Sequence, residues 1–230
     1  MSKDYMATLE ETYQKKTDKE HVLDNPDTYI GSVELVQNKD WIINGDASKI
    51  HPTVHNYIPG LYKLFDECIV NARDHVIRCQ DKKFPVTYIN VSIDDEGVIS
   101  VVNDGAGIDV IEHPEYKVYI PELIFAHLRT STNYDKTKKK IVGGKNGFGV
   151  KLVFIWSEWG MIETVDQDRK LKYTQRVYNN LDCIDKPSIT KCSKKPYTKI
   201  TFKPDYKRLG IPGLTSDMKA LFYRRIHDIA

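Results

Sequence analysis

Val142-Gly143-Gly144-Lys145-Asn146-Gly147-Phe148-Gly149 runs directly into the apolar segment Val150-Lys151-Leu152-Val153-Phe154-Ile155-Trp156. Glycines at this density leave backbone N–H groups uncovered, and the apolar run behind them predicts a loop feeding the start of a helix. That geometry attracts phosphate. It is not the nucleotide loop that ends in Gly-Lys-Ser/Thr, because no hydroxyl residue follows at the required spacing. Nor is it the dinucleotide fingerprint, since Gly144, Gly147 and Gly149 are wrongly spaced and lead into no strand–helix–strand unit.

On either side of this loop the chain reads as hairpins. Upstream, residues 86–93 and 98–102 predict two strands joined across Asp94-Asp95-Glu96-Gly97, because Ile89, Val91 and Ile93 alternate with polar residues. Downstream, residues 161–165 and 171–177 predict a second hairpin, and 197–202 a further strand ended by Pro204. Before the first hairpin, Leu61, Phe65, Cys68, Ala72, Val76 and Cys79 recur at spacings of 3 and 4, which predicts a helix over 61–79 with one buried stripe. A closing amphipathic helix is expected after Thr215 or Ser216, carrying Met218, Leu221, Phe222 and Ile226.

Towards the N-terminus the pattern weakens. Residues 1–16 read as an extended arm, Thr17-x-x-Glu20 as a capping box opening a short helix that stops near Pro26, and 27–59 as loop-rich, with Tyr29-Ile30-Gly31-Ser32 a short strand or turn. Antiparallel hairpins and helices that do not alternate strand–helix–strand predict an α+β two-layer sandwich with a mixed, mainly antiparallel sheet.

The composition is compatible with this. A chain of 230 residues, 40% of them hydrophobic, suits one large domain. The 34 basic residues nearly balance the 32 acidic ones, so no uniformly basic face announces a duplex-binding module. Cys68, Cys79, Cys183 and Cys192 have no metal-site spacing and are expected as reduced thiols of an intracellular protein. The polar N-terminus carries no signal peptide, and no apolar run approaches the roughly 20 residues a membrane span needs.

Two further groups could carry chemistry. Glu67 and Asn71, four apart on the predicted helix, project side by side. A carboxylate there can polarise a water, and an amide oxygen is a suitable hard ligand for Mg²⁺; taken alone, the pair reads more readily as a solvated helix flank. Asn103-Asp104-Gly105-Ala106-Gly107 closes a strand, and its amide could read a purine edge, although alone it is a tight turn.

In this order and at these intervals, the three motifs resemble those of the ATPase superfamily of gyrase, heat-shock chaperones, histidine kinases and mismatch-repair proteins, which implies the Bergerat (GHKL) fold. Within it, Glu11-Thr12-Tyr13-Gln14-Lys15-Lys16, Pro26-Asp27-Thr28-Tyr29-Ile30-Gly31-Ser32, Pro59-Gly60-Leu61-Tyr62-Lys63-Leu64-Phe65-Asp66-Glu67 and Thr130-Ser131-Thr132-Asn133-Tyr134-Asp135 resemble the N-terminal ATPase domain of eukaryotic-type type IIA DNA topoisomerases, from about Glu11 to Ala230.

The resemblance implies ATP and Mg²⁺ as cofactors, Glu67 as general base, Asn71 as the metal ligand and Asn103 at the adenine amino group. It puts Asp74, His75, Gly107 and Ile108 in the nucleotide site, Ser131, Thr132 and Asn133 at ribose and phosphates, and Gly144, Lys145, Asn146, Gly147, Phe148, Gly149 and Lys151 around the triphosphate. It also implies a homodimer formed by exchange of the 1–16 arm, with Tyr13 reaching the partner's nucleotide, and residues 17–230 as the ATPase domain. ATP binding then closes a gate that drives passage of double-stranded DNA by the full-length enzyme. The transducer and DNA-cleavage core are expected outside this chain, and because a transducer lysine completes the site, the fragment is expected to hydrolyse ATP weakly. The implied location is the nucleus, or host cytoplasm or virion for a viral enzyme.

His75 stands where cellular enzymes often carry Asn, and Lys145 where Arg is frequent; a lysine keeps the charge but loses the planar fork. With Val86-Thr87-Tyr88-Ile89 and Asn180-Leu181-Asp182, these choices resemble topoisomerases of large double-stranded DNA viruses. A chaperone or repair ATPase, or a nucleotide-binding module without catalysis, are the competing readings; the Tyr-Ile-Gly-Ser string and the intact Glu67 speak against each in turn. Lys136, Lys138, Lys139 and Lys140 read as a solvated loop, and Trp156 and Trp159 as packing residues.

Overall fold

The computed structural model describes residues 16–43, 49–128 and 149–230. Helix α1 (Asp18–Asp24) opens on the expected capping box, with the Thr17 side chain accepting from the Glu20 N–H and the Glu20 carboxylate accepting from the Thr17 N–H. A single turn, α2 (Pro26–Tyr29), follows.

The next segment departs from the sequence reading. Instead of loop, it holds a two-stranded antiparallel sheet of β1 (Val36–Ile43) and β2 (Ile50–Tyr57). Only Ile42, Ile43 and His55 of these strands are buried, while Trp41, Ile50 and Val54 stand in solvent, so the usual alternation of apolar and polar residues is missing. Pro52 adds a breaker where it is tolerated, on a strand with a free edge.

Helix α3 (Pro59–Cys79) begins with proline in its first turn, where the missing N–H removes nothing the helix uses. It buries more than the one predicted stripe: Leu64 and Ile69 are buried beside Leu61, Phe65 and Cys68, whereas Val76 is only half-buried. The reason is that α3 is covered on several sides, by strand β4 (Ile99–Asp104), by α5 (Gly149–Ile155) and by the closing helix α6 (Ser216–Ile229). Phe65 stacks on Phe222 of α6 with ring centroids 3.9 Å apart, and Arg225 Nε donates to Asp66 Oδ1 over 2.6 Å. Thr215 caps α6, its hydroxyl oxygen accepting from the Met218 N–H.

The main sheet runs β3 (Ile89–Ile93), β4, β9 (Tyr197–Pro204), β5 (Ser157–Asp166), β6 (Leu171–Tyr178) and β7 (Cys183–Ile184), with β8 (Ser188–Lys191) also paired to β6. Its described pairings are antiparallel, and helices α3, α5 and α4 (Ile120–Ala126) pack on it as a second layer. This is the two-layer α+β sandwich read from the hairpins. Residues 86–88 were expected in strand, but Asp104 captures them: its carboxylate accepts from the Thr87 N–H, the Thr87 hydroxyl and the Tyr88 N–H.

Helix α5 is buried almost entirely, and Trp156 after it belongs to the core. Trp159 instead lies on the sheet under the Arg176 guanidinium, 5.3 Å from the ring centroid. All four cysteines are free, and burial pushes the Cys68 thiol up to about 12. Among the described residues no helix is long and apolar enough to cross a membrane.

Candidate active site

The helical repeat of α3 sets Glu67, Asn71 and His75 at intervals of four, so they follow one another along a single flank. Asn71 Nδ2 donates to the Glu67 carbonyl over 2.7 Å. That bond fixes the amide's orientation and leaves Oδ1, a neutral hard oxygen, to face a ligand. Glu67 Oε1 pairs with Lys63 Nζ at 2.5 Å, one turn earlier on the same helix.

The other carboxylate oxygen of Glu67 meets the first residue of α5. A Cβ added to Gly149 would overlap Oε2 and stand 3.3 Å from the Asn71 amide nitrogen. A side chain there would push the Glu67 carboxylate aside, so the end of the glycine-rich sequence lies against the acid and the amide. Among the described residues no cluster of three or more His, Cys, Asp or Glu side chains could hold a metal ion. A single amide oxygen suits Mg²⁺, which keeps most of its coordination for water and phosphate, and does not suit a metal that needs an all-protein cage.

At the other end of this flank lies the 103–107 turn. Asn103 is buried and its Nδ2 donates to the Asp104 carbonyl over 2.8 Å. Burial works to raise the Asp104 carboxyl, but the hydrogen bonds from Thr87 and Tyr88 outweigh it and hold it below the usual carboxylate range. The Gly107 N–H donates to Gln167 Oε1 and the Ile108 N–H to Thr164 Oγ1, at 3.0 and 3.1 Å. Both backbone donors are thus engaged with protein. His75 reaches this turn, with Nε2 2.8 Å from the Ala106 carbonyl oxygen. Asp74 is buried on the adjoining face of α3.

Lys151 lies on α5 and is 2% exposed; burial pulls its ammonium down from 10.5 to about 8. A folded-state value below the ordinary one means that the unfolded chain holds the extra proton between about pH 8 and 10.5, so this group favours folding increasingly as pH rises through that window. Lys151→Met, which cannot titrate there, is expected to remove that rise, so that in urea unfolding wild type gains stability relative to the variant between about pH 8 and 10.5. The same difference between the two proteins at both pH values would rule the explanation out.

The structure thus brings together Glu67, Asn71 and Gly149, with His75 on the same flank bonded to the turn that carries Asn103, Gly107 and Ile108, and Lys151 buried on α5. Tyr13, Ser131, Thr132, Asn133, Gly144, Lys145, Asn146, Gly147 and Phe148 lie outside the described residues. Thr164, Asp166, Gln167 and Lys63 were not anticipated. Thr164 and Asp166 occupy inward positions of β5 and are buried, the second accepting from the Val110 N–H over 2.8 Å. A polar residue at an inward strand position was the available signal.

Residues 56–208 match the family model described as histidine kinase-, DNA gyrase B-, and HSP90-like ATPase. The chain is 49% identical over 228 residues to DNA topoisomerase 2 of Acanthamoeba polyphaga mimivirus, covering 97% of this chain and 18% of that protein. It is 44% identical over 230 residues to DNA topoisomerase 2 of Penicillium chrysogenum, covering 100% of this chain and 14% of that protein. Among solved structures, the ATPase region of Saccharomyces cerevisiae topoisomerase II superposes with a TM-score of 0.91 at 42% identity, over 95% of this chain and 57% of that one.

Proposed function

The chain belongs to the family of histidine kinase-, DNA gyrase B- and HSP90-like ATPases and is homologous to the ATPase regions of type IIA DNA topoisomerases, and from that premise we propose how its residues bind and hydrolyse ATP with Mg²⁺. The contact that supports this reading best is Gly149 against Glu67 and Asn71, which brings an acid, an amide oxygen and the end of a phosphate-attracting sequence to one place.

Glu67 is the general base: one carboxylate oxygen takes the proton of the attacking water as the water oxygen bonds to the γ-phosphorus, and the bond to the leaving diphosphate oxygen breaks. Asn71 Oδ1 holds the metal. When bound there, Mg²⁺ would supply positive charge against the phosphate oxygens. Asn103 meets the purine edge, with Asp74, His75, Gly107 and Ile108 shaping the wall around it. Lys145 to Gly149 and Lys151 surround the triphosphate, with Ser131, Thr132 and Asn133 at ribose and phosphates.

In the whole protein, residues 17–230 form the ATPase domain and 1–16 an arm whose exchange, with Tyr13 at the partner's nucleotide, makes a homodimer. ATP binding closes that dimer and drives one double-stranded DNA through another, in the nucleus or, for a viral enzyme, in host cytoplasm or virion. This chain spans 18% and 14% of the length of the two relatives compared, so the transducer and DNA-cleavage core would lie in the remainder.

Calorimetric titration of the chain with a non-hydrolysable ATP analogue and Mg²⁺ should give one-to-one binding, while steady-state turnover stays far below that of a protein containing the transducer. Failure to bind any adenine nucleotide would overturn the reading. Fast turnover by the chain alone would overturn the split of the site between two domains.

A further inference from the structure

His75 lies two turns beyond Glu67 on α3. Nε2 is 2.8 Å from the carbonyl oxygen of Ala106, a residue of the 103–107 turn. A carbonyl oxygen can only accept, so the hydrogen between them must sit on Nε2. The Cys79 sulfur is 3.2 Å from the same nitrogen, close enough to be a second, weaker acceptor. The neutral ring is thereby fixed in one tautomer, with the lone pair on Nδ1.

The turn that receives this bond is held from other sides as well. The Ala106 N–H donates to the Phe84 carbonyl over 2.9 Å, and the Gly107 N–H donates to Gln167. His75 ties this turn to the helix carrying Glu67 and Asn71. Burial, reinforced by the nearby Arg78 and Lys82 charges, lowers its pKa below the ordinary value despite the bond to Ala106, so the ring is neutral at pH 7.

Resting on the nucleotide-site reading above, we propose that His75 is a positioning residue: it braces the purine-side turn against α3 at a fixed distance from Asn71, and it does not donate to the phosphates. An asparagine at this position would offer a ligand both a donor and an acceptor. The braced neutral histidine offers an acceptor only, since its one N–H is spent on Ala106.

Two measurements test this. Imidazole nitrogen shifts of His75 in the wild-type chain at pH 7, read from long-range proton–nitrogen correlation spectra, should report the Nε2–H tautomer; the Nδ1–H tautomer, or averaging between the two, overturns the proposal without reference to any nucleotide. Affinity for ADP with Mg²⁺ is then compared in His75→Leu, which has no donor, and His75→Gln, which keeps one at similar reach. The expected result is a loss of about 3- to 10-fold in His75→Leu, the worth of one neutral hydrogen bond, with recovery to within about 2-fold in His75→Gln. Unchanged affinity in His75→Leu, or equal loss in both variants, overturns it. If the wild-type chain binds no adenine nucleotide, the nucleotide-site reading fails instead, and the tautomer still decides whether the brace exists.

Discussion

Replacing Glu67 by alanine in the full-length enzyme is expected to lower ATP hydrolysis by about 10²- to 10⁴-fold, the range for removal of a general base, while nucleotide binding is retained. The structure separates the two quantities. Among the described residues Glu67 pairs with Lys63, whose side chain is 45% exposed, and a surface pair of this kind contributes only about 0.3–0.5 kcal/mol. Its loss therefore leaves α3 folded and Asn71 in place. Glu67→Gln should behave alike, because the amide keeps the shape but cannot take the proton. Rapid-quench turnover and equilibrium binding would be measured on the same preparation. Equal loss of both would mean that Glu67 shapes the pocket instead of acting on water.

The second large effect is structural. Gly107→Ala is expected to destabilise the chain by about 3 kcal/mol, the upper end of the range for overpacking a site that cannot give way. A Cβ at this position would fall on the Val165 carbonyl, which is backbone of a paired strand and has no rotamer to yield. Relief requires the turn to lift away from β5, and that breaks the bonds from the Gly107 and Ile108 N–H groups to Gln167 and Thr164. Urea unfolding measures the loss. A change within about 0.5 kcal/mol, ordinary for a surface substitution, would show that the turn is looser than described.

Much of this arrangement was legible in the residues. The hairpin β3–β4 and the pair β5–β6 were readable because Ile89, Val91 and Ile93, and later Tyr173, alternate with polar neighbours. The spacing of Glu67 and Asn71 on α3 was readable for the same kind of reason. The hairpin β1–β2 was not, because its strands lie mostly in solvent and carry Trp41 and Val54 outward, so periodicity has nothing to report. Residues 86–88 look like strand by composition, yet the Asp104 carboxylate offers their N–H groups a partner that no local pattern reveals. His75 was legible as an unusual choice, but its partner Ala106 is 31 residues away and contributes only a backbone oxygen, which leaves no trace in residue type.

Phe65 and Asp66, which grip α6 through Phe222 and Arg225, are the two residues immediately before Glu67. With 14 residues at about 1.5 Å each, α6 is a rod of about 21 Å fastened at the root of the acid. A torque applied to either end of that rod reaches the carboxylate with only one peptide link between, so the aim of the Glu67 side chain is no steadier than the seat of α6.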